Sequence, residues 1–303
     1  MPPSLFPIRA ATVRERSSLQ PLPGDLPIPP FLYLYLILLL AVFCPLRALA
    51  QADEREEIVT LTEQIRKEPA KTALYLRRGD MYRTIQNWDA AQADYDYARA
   101  LDPKTGDIDF LKGRVFLEAN WPLSAKVALD RFLTNHANHV DALVARARAH
   151  SRLGLRAASA QDYSRALELT PQPQPELYIE RSQILASGGA DYAAEALQGL
   201  DEGLKKLGSV VTLQLAAIDI EVNQKHYDAA LDRIEAAAAS SPRKETWLLR
   251  KGEILRDAGR PAEARAAFQS ALQAIETLPP ARRNVPAMAA LEKRIREQYQ
   301  AVK

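Results

Sequence analysis

The feature that most constrains this chain is a repeat of 34 or 35 residues that extends from residue 72 to about residue 278. Small residues recur at the eighth place of each unit, at Gly79, Gly113, Ala147, Ser182, Ala217 and Gly252. Further small residues recur at the twentieth place, at Ala91, Ala125, Ser159, Ala196, Ala230 and Ala264. A period of this length is typical of solenoids, in which one supersecondary motif stacks on the next.

The small residues mark the places where two helices of a unit cross. Only Gly, Ala or Ser lets the backbones approach there, because a larger side chain overpacks the contact at a cost of about 1–3 kcal/mol. Large apolar residues flank these places at helical spacing, as Leu213 and Ile220 do around Ala217. Gly154 and Gly259 are predicted to lie in the turns between helices. No segment alternates apolar and polar residues over a strand's length, so the sequence predicts no sheet.

The first unit carries the residues that identify its type. Counted from Thr72, these are Tyr75 at the fourth place, Gly79 at the eighth, Tyr82 at the eleventh, Ala91 at the twentieth and Pro103 at the thirty-second. The pattern resembles that of the tetratricopeptide-repeat family, W-x2-L-G-x2-Y…A-x3-F…P. The resemblance covers residues 72–278 and implies an all-α, right-handed superhelical solenoid of about six helix-turn-helix repeats.

A solenoid needs polar ends, and the sequence predicts a capping helix on each side of the repeats. Residues 51–71 predict an N-terminal helix with Ile58, Leu61 and Ile65 on one face. Residues 279–303 predict a C-terminal capping helix, with Met288, Leu291 and Ile295 turned inward.

Residues 1–50 have the composition of a targeting segment. A proline-rich stretch with a few arginines precedes an uncharged apolar run at 31–44, and Ala48-Leu-Ala50 follows just before Gln51. This order is typical of a secretory signal with its cleavage site. It predicts a periplasmic or secreted protein of a bacterial cell. The alternative is that residues 31–50 stay attached as an anchor in the inner membrane.

Charge and composition argue against several functions. Lys plus Arg is 40 and Asp plus Glu is 38, so no bulk affinity for nucleic acid is expected. Contact with a membrane is expected only if the N-terminal segment is not cleaved. His136 and His139 stand as a pair without further ligands nearby, and the chain has one cysteine, so no metal site is predicted. Phosphate-binding loops and nucleophile motifs are absent. We therefore expect a protein that is not an enzyme and has no cofactor.

The family resemblance implies that the first helix of each repeat lines a concave groove. Six residues occupy groove places in repeats one to three: Arg83, Phe110, Arg114, Val144, Arg148 and Arg152. Arginine suits carboxylate groups, so an acidic peptide is one candidate ligand. The alternative is that nearby acidic residues, among them Asp80 and Glu118, pair with these arginines.

The first helix of repeat five is more apolar than one buried stripe requires. Val211 and Leu215 belong to it, and they are predicted either to enlarge the core or to form a patch for a partner. The function expected is a non-catalytic scaffold of the cell envelope that binds a peptide or a partner domain in its groove. The alternatives are a membrane-anchored assembly factor, and a regulatory subunit that binds an envelope enzyme through the repeat-five helix.

Overall fold

The structure is a computed structural model that describes residues 53–105 and 107–302. The predicted signal or anchor at residues 1–50 lies outside the described residues. The described part of the chain is helical and contains no strand. Its helices are α1 (53–67), α2 (Thr72–Thr84), α3 (Trp88–Leu101), α4 (Ile108–Glu118), α5 (Pro122–Asn135), α6 (Val140–Arg152), α7 (Arg156–Leu169), α8 (Pro175–Ala186), α9 (Ala190–Leu207), α10 (Val211–Asn223), α11 (Tyr227–Ser240), α12 (Lys244–Asp257), α13 (Pro261–Glu276), α14 (Pro280–Arg283) and α15 (Pro286–Ala301).

Helices α2 to α13 form six consecutive pairs, and each pair packs against the next. The even-numbered helices, α2 to α12, are the first helices of the six repeats, and the odd-numbered helices, α3 to α13, are the second. The predicted all-α solenoid of helix-turn-helix repeats is therefore confirmed.

The crossing of the two helices in each pair follows the predicted register. All six residues at the twentieth place are fully buried. At the eighth place, a Cβ atom on Gly79 would lie 2.6 Å from the Tyr95 ring, and one on Gly113 would lie 2.6 Å from Leu129. The glycines are therefore required by close approach, since a side chain there would push a large core residue aside.

Two repeats have serine at these crossing places. The Ser159 hydroxyl donates a hydrogen bond to the carbonyl of Ala147, at 2.7 Å. The Ser182 hydroxyl lies 2.6 Å from the Tyr178 carbonyl and 3.2 Å from the Ala196 carbonyl. Each buried hydroxyl is thus satisfied by a backbone acceptor, which is why serine is tolerated in a tight, dry contact.

The turn inside each repeat contains one residue with positive φ. These residues are Gln86, Asn120, Gly154, Gly189, Lys225 and Gly259, with φ between 59° and 92°. The prediction of turns at Gly154 and Gly259 is confirmed. The same left-handed backbone in the turns of repeats one, two and five carries a side chain, which is less favourable than glycine.

Both ends of the repeat array are covered by a helix. Helix α1 buries one face on repeat one through Leu61, with Ile58 and Ile65 beside it. Helix α15 buries Met288 and Ile295 against repeat six, while Leu291 is only partly buried. Within the described residues, no helix combines the length and the apolar character needed to cross a membrane.

Candidate partner-binding surfaces

Two of the predicted groove arginines already hold a carboxylate from the chain itself. Arg83 donates from Nε to Asp80 at 2.8 Å and from Nη1 to Glu118 at 2.8 Å. Arg148 forms two hydrogen bonds to Glu180, at 2.9 and 2.8 Å. The contacts of Arg83 with Glu118 and of Arg148 with Glu180 each join the first helices of successive repeats. Arg83 and Arg148 are thus paired with acidic residues of the chain itself, which was the alternative to binding an acidic peptide.

The ion pair with Arg148 lowers the pKa of the Glu180 carboxyl. Burial raises the pKa of the Glu180 carboxyl, but hydrogen bonds from Arg148 and from the Tyr163 hydroxyl outweigh burial and hold that pKa below its ordinary value. Glu180 is therefore ionised at neutral pH, and Arg148 has little capacity left for an external carboxylate.

The other two predicted arginines have no carboxylate partner in the described chain. The guanidinium of Arg114 lies 5.9 Å from the centre of the Phe110 ring, within reach of a cation–π contact. Arg152 donates from Nη1 to the carbonyl of Leu117 at the end of α4. Both positive charges therefore remain available to an acidic group.

The predicted apolar groove residues of repeats two and three contribute mainly to packing. Val144 of α6 is buried in a core cluster to which α4, α5, α6 and α7 contribute. Phe110 is half-buried, with its ring centre 5.4 Å from that of Phe132 and 4.9 Å from that of His139. Neither side chain offers an open apolar surface.

A cavity with a volume of about 660 Å³ lies between α10, α12 and α15. We call it the C-terminal groove. Helix α10 contributes Val211, Leu215 and Asp219 to its lining, and α15 contributes Leu291 and Arg294. The remaining lining residues are Ser241 and Arg243, which precede α12, and Thr246, Trp247, Leu249, Arg250 and Glu253 of α12. Both predicted partner residues of repeat five, Val211 and Leu215, line this groove.

Some apolar residues of helix α10 lie in the core, and others line the C-terminal groove. Leu213, Ile218 and Ile220 are buried in the core. Val211, in contrast, is 51% exposed at the groove, and Leu215 is partly buried there. The surplus of apolar residues in this helix is thus explained both by core packing and by the open groove. The sequence did not indicate that Trp247 and Leu291 line a groove with α10. Trp247 belongs to repeat six and Leu291 to the capping helix, and only the fold places them beside α10.

The arginines of the C-terminal groove are all paired. Arg250 donates to Asp219 at 2.5 Å and lies 3.5 Å from Glu253. Arg294 donates to the other oxygen of Glu253 at 2.6 Å. Arg243 lies 3.3 Å from the buried carboxylate of Glu245.

The comparisons with known proteins agree with this architecture. Residues 176–288 match the family model "Tetratricopeptide repeat-like domain", and residues 76–121 match the model "Tetratricopeptide repeat". The chain belongs to the tetratricopeptide-repeat family. No curated protein matches the sequence significantly.

Solved tetratricopeptide structures share the fold at low sequence identity. A tetratricopeptide repeat protein from Parabacteroides merdae is 17% identical, with a TM-score of 0.51 over 82% of this chain and 94% of that one. The C-terminal part of a repeat-containing protein from Cytophaga hutchinsonii is 15% identical, with a TM-score of 0.60 over 76% of this chain and 93% of that one. The likeness concerns the fold, which is that of a protein–protein interaction scaffold, and the family is generally non-catalytic.

In this tetratricopeptide protein the two loop histidines hold helix ends. The backbone N–H of Ala142 donates to His139 Nδ1 at 3.1 Å, so His139 is the N-cap of α6. His136 Nδ1 donates to the carbonyl of Phe132 at 3.0 Å, near the end of α5. Among the described residues, no group of three histidine, cysteine or acidic side chains is placed to hold a metal ion.

Proposed function

We propose that this protein is a non-catalytic scaffold of the cell envelope that binds a segment of a partner protein in the C-terminal groove. The observation that carries the proposal is the groove itself, an open cavity of about 660 Å³ with apolar side chains from three helices. Exposed apolar surface of this kind is typical of binding sites. The tetratricopeptide fold supports the proposal, because its first helices form the face on which such scaffolds bind their partners.

The proposed location rests on the N-terminal sequence. The apolar run at 31–44 followed by Ala48-Leu-Ala50 has the order of a secretory signal, and export to the periplasm or beyond follows if it is cleaved. A membrane-anchored assembly factor is the alternative if it is retained. N-terminal sequencing of the protein purified from its native cells distinguishes the two, since cleavage predicts Gln51 as the first residue.

Two unpaired arginines keep a second binding mode open. Arg114 and Arg152 have no carboxylate partner in the described chain, so an acidic segment bound by repeats two and three is the runner-up. A partner bound by that surface should respond to charge reversal there and not to changes in the C-terminal groove.

A crosslinking pull-down from the envelope fraction tests the proposal. The full-length chain is compared with a groove variant, Val211→Glu with Leu215→Glu, and with an arginine variant, Arg114→Glu with Arg152→Glu. Circular dichroism confirms that each variant is folded. We expect the partner to be lost by the groove variant alone. Loss by the arginine variant alone would refute the groove proposal and favour the runner-up. The identity of the captured protein then tells a structural partner from an enzyme that this chain regulates.

A further inference from the structure

We infer that the C-terminal groove selects a segment with large apolar side chains and no net charge, and that it discriminates against acidic segments. The inference rests on the proposed function and specifies the chemistry of the partner. It follows from three properties of the groove lining, which are its apolar floor, its paired charges and its occupied hydroxyl groups.

The floor of the groove is apolar and comes from three helices. Leu215, Trp247 and Leu249 belong to the first helices of repeats five and six, and Leu291 belongs to the capping helix. Trp247 and Leu249 are 4% and 5% exposed, so they present only edges, whereas Val211 at the mouth is 51% exposed. A partner that covers Val211 and fills the space beside Leu215 would remove apolar surface from water, which is the main favourable term available here.

The charges around the floor cancel within the chain. Three arginines line the groove, and each lies within 3.5 Å of a carboxylate: Arg250 of Asp219 and Glu253, Arg294 of Glu253, and Arg243 of Glu245. These are three carboxylates, so the set carries no formal net charge. An acidic ligand would have to compete with a carboxylate that is already held in place, and Glu253 and Glu245 are both buried.

The two hydroxyl groups of the lining are also engaged. Ser241 Oγ accepts a hydrogen bond from the backbone N–H of Arg243 at 3.1 Å. Thr246 Oγ1 donates to the carbonyl of Arg243 at 3.1 Å. With charges and hydroxyls both used internally, the groove is left with shape and apolar contact as its means of selection. Repeats two and three differ here, because Arg114 and Arg152 keep charges without a carboxylate partner.

The fluorescence of Trp247 provides a direct test. The chain has three tryptophans, Trp88, Trp121 and Trp247, so Trp88→Phe with Trp121→Phe leaves one reporter inside the groove. The probes are two acetylated and amidated nonapeptides, one of alternating leucine and serine and the other with each serine replaced by glutamate. Each is titrated into the full-length chain.

We expect the neutral peptide to change the Trp247 emission and the acidic peptide to bind about tenfold more weakly. The affinity of the neutral peptide should change less than about twofold between about 50 and about 500 mM NaCl, because no charge is neutralised on binding. Val211→Glu should abolish its binding. The matched control is Leu123→Glu, which changes a leucine of α5 that is 64% exposed and lies outside the groove, and it should leave binding unchanged.

Two results would overturn the inference. Tighter binding of the acidic peptide, weakened by salt, would show that the groove recognises charge, and groove docking itself would survive. Failure of the neutral peptide to bind, or binding that Val211→Glu does not reduce, would show that the floor does not recognise apolar side chains. The pull-down with the groove variant separates this failure from failure of the proposed function, since it uses the native partner and no designed peptide.

Discussion

Repeats one to three and repeats five and six contain the same type of ion pair but differ in the surface that their first helices expose. In both, an arginine of one first helix reaches a carboxylate of a neighbouring unit, as in Arg148 with Glu180 and Arg250 with Asp219. In repeats one to three the predicted groove residues are packed or paired within the chain, except that Arg114 and Arg152 have no carboxylate partner among the described residues. In repeats five and six the helices stand far enough apart, with α15, to leave an apolar cavity of about 660 Å³. The ion pairs therefore connect units in both regions, and the open apolar space distinguishes the surface that we propose to bind a partner.

Repeat four lies between the two regions, and its first helix, α8, packs on α10 through apolar side chains. Within the described residues, no ion pair or side-chain hydrogen bond joins α8 to α10. Arg181 of α8 instead faces its own repeat, 3.9 Å from Glu195 and Glu202 of α9. The second helices are connected there, by two hydrogen bonds from Arg233 to Asp201 at 2.7 and 3.0 Å. We therefore expect changes on the first-helix face of one region to have little effect on the other.

The largest effect should come from the feature that the two regions share. Ala91→Leu in repeat one and Ala264→Leu in repeat six each place a large side chain at a fully buried helix crossing. Each should lower the free energy of unfolding by about 1–3 kcal/mol through overpacking. Urea denaturation of the full-length chain measures the loss.

Ala289→Leu is the matched control, since Ala289 is exposed on α15, and it should change stability by less than about 0.5 kcal/mol. If only one of the two buried variants loses stability, the helix crossings of the two regions differ, contrary to the shared register.

Removing a carboxylate from an ion pair should have a smaller effect on the free energy of unfolding, and the loss should be greater where the carboxylate is more deeply buried. Glu253 is 8% exposed and receives both Arg250 and Arg294, so Glu253→Gln removes the carboxylate that pairs with Arg294 and leaves Arg250 with Asp219 alone. We expect a loss of about 1–2 kcal/mol from this change. Glu180→Gln should cost less than about 1 kcal/mol, because the side chains of Arg148 and Glu180 are 45% and 30% exposed. Thermal or urea unfolding compares the two, and equal losses would contradict the distinction.

The repeat register could be predicted from the sequence because small residues at two fixed places have a direct physical cause. Gly79 meets the Tyr95 ring, and Ser159 meets the Ala147 carbonyl, so each place accepts few residue types. The surplus apolar character of α10 could likewise be read from the sequence, and it led to Val211 and Leu215.

The composition of the groove could not be predicted in the same way. Trp247 and Leu291 enter it from units that follow α10 along the chain, and their residue types are equally consistent with a core position. The choice of partners for the arginines was also open, because Arg83 and Arg114 occupy similar places while only Arg83 lies within reach of Asp80 and Glu118. Such choices depend on distances between side chains that the repeat pattern does not encode.

A pH effect on stability should arise in the first region, at the buried His150 of α6. Burial lowers the pKa of His150 below the ordinary value of 6.5. The Asp162 carboxylate raises this pKa and Arg146 lowers it, each by less than burial does. Asp130 and Lys126 have still smaller effects, the first raising the pKa and the second lowering it. The unfolded chain therefore binds a proton at a higher pH than the folded chain. The contribution of His150 to stability is complete above about pH 6.5 and is lost progressively as the pH falls below that value.

Urea unfolding between about pH 7.5 and about pH 5 measures this effect, and His150→Phe should flatten the slope. Phenylalanine keeps an aromatic ring at the eleventh place of the repeat. A slope that survives His150→Phe would assign the pH dependence to other groups.

The smallest effect concerns the salt dependence of the ion pairs. A double-mutant cycle on Arg148 and Glu180 should give a coupling energy of about 0.5 kcal/mol at low salt, falling to less than half of that in about 1 M NaCl, since both side chains are substantially exposed. The corresponding cycle on Arg294 and Glu253 should keep more of its coupling energy, because the Glu253 side chain is only 10% exposed and a buried charge is screened less. If the two coupling energies fall in parallel, burial of Glu253 does not protect the groove pairs from salt. The difference between the two regions would then reduce to the apolar cavity alone, and the discrimination against acidic segments would weaken as salt is added.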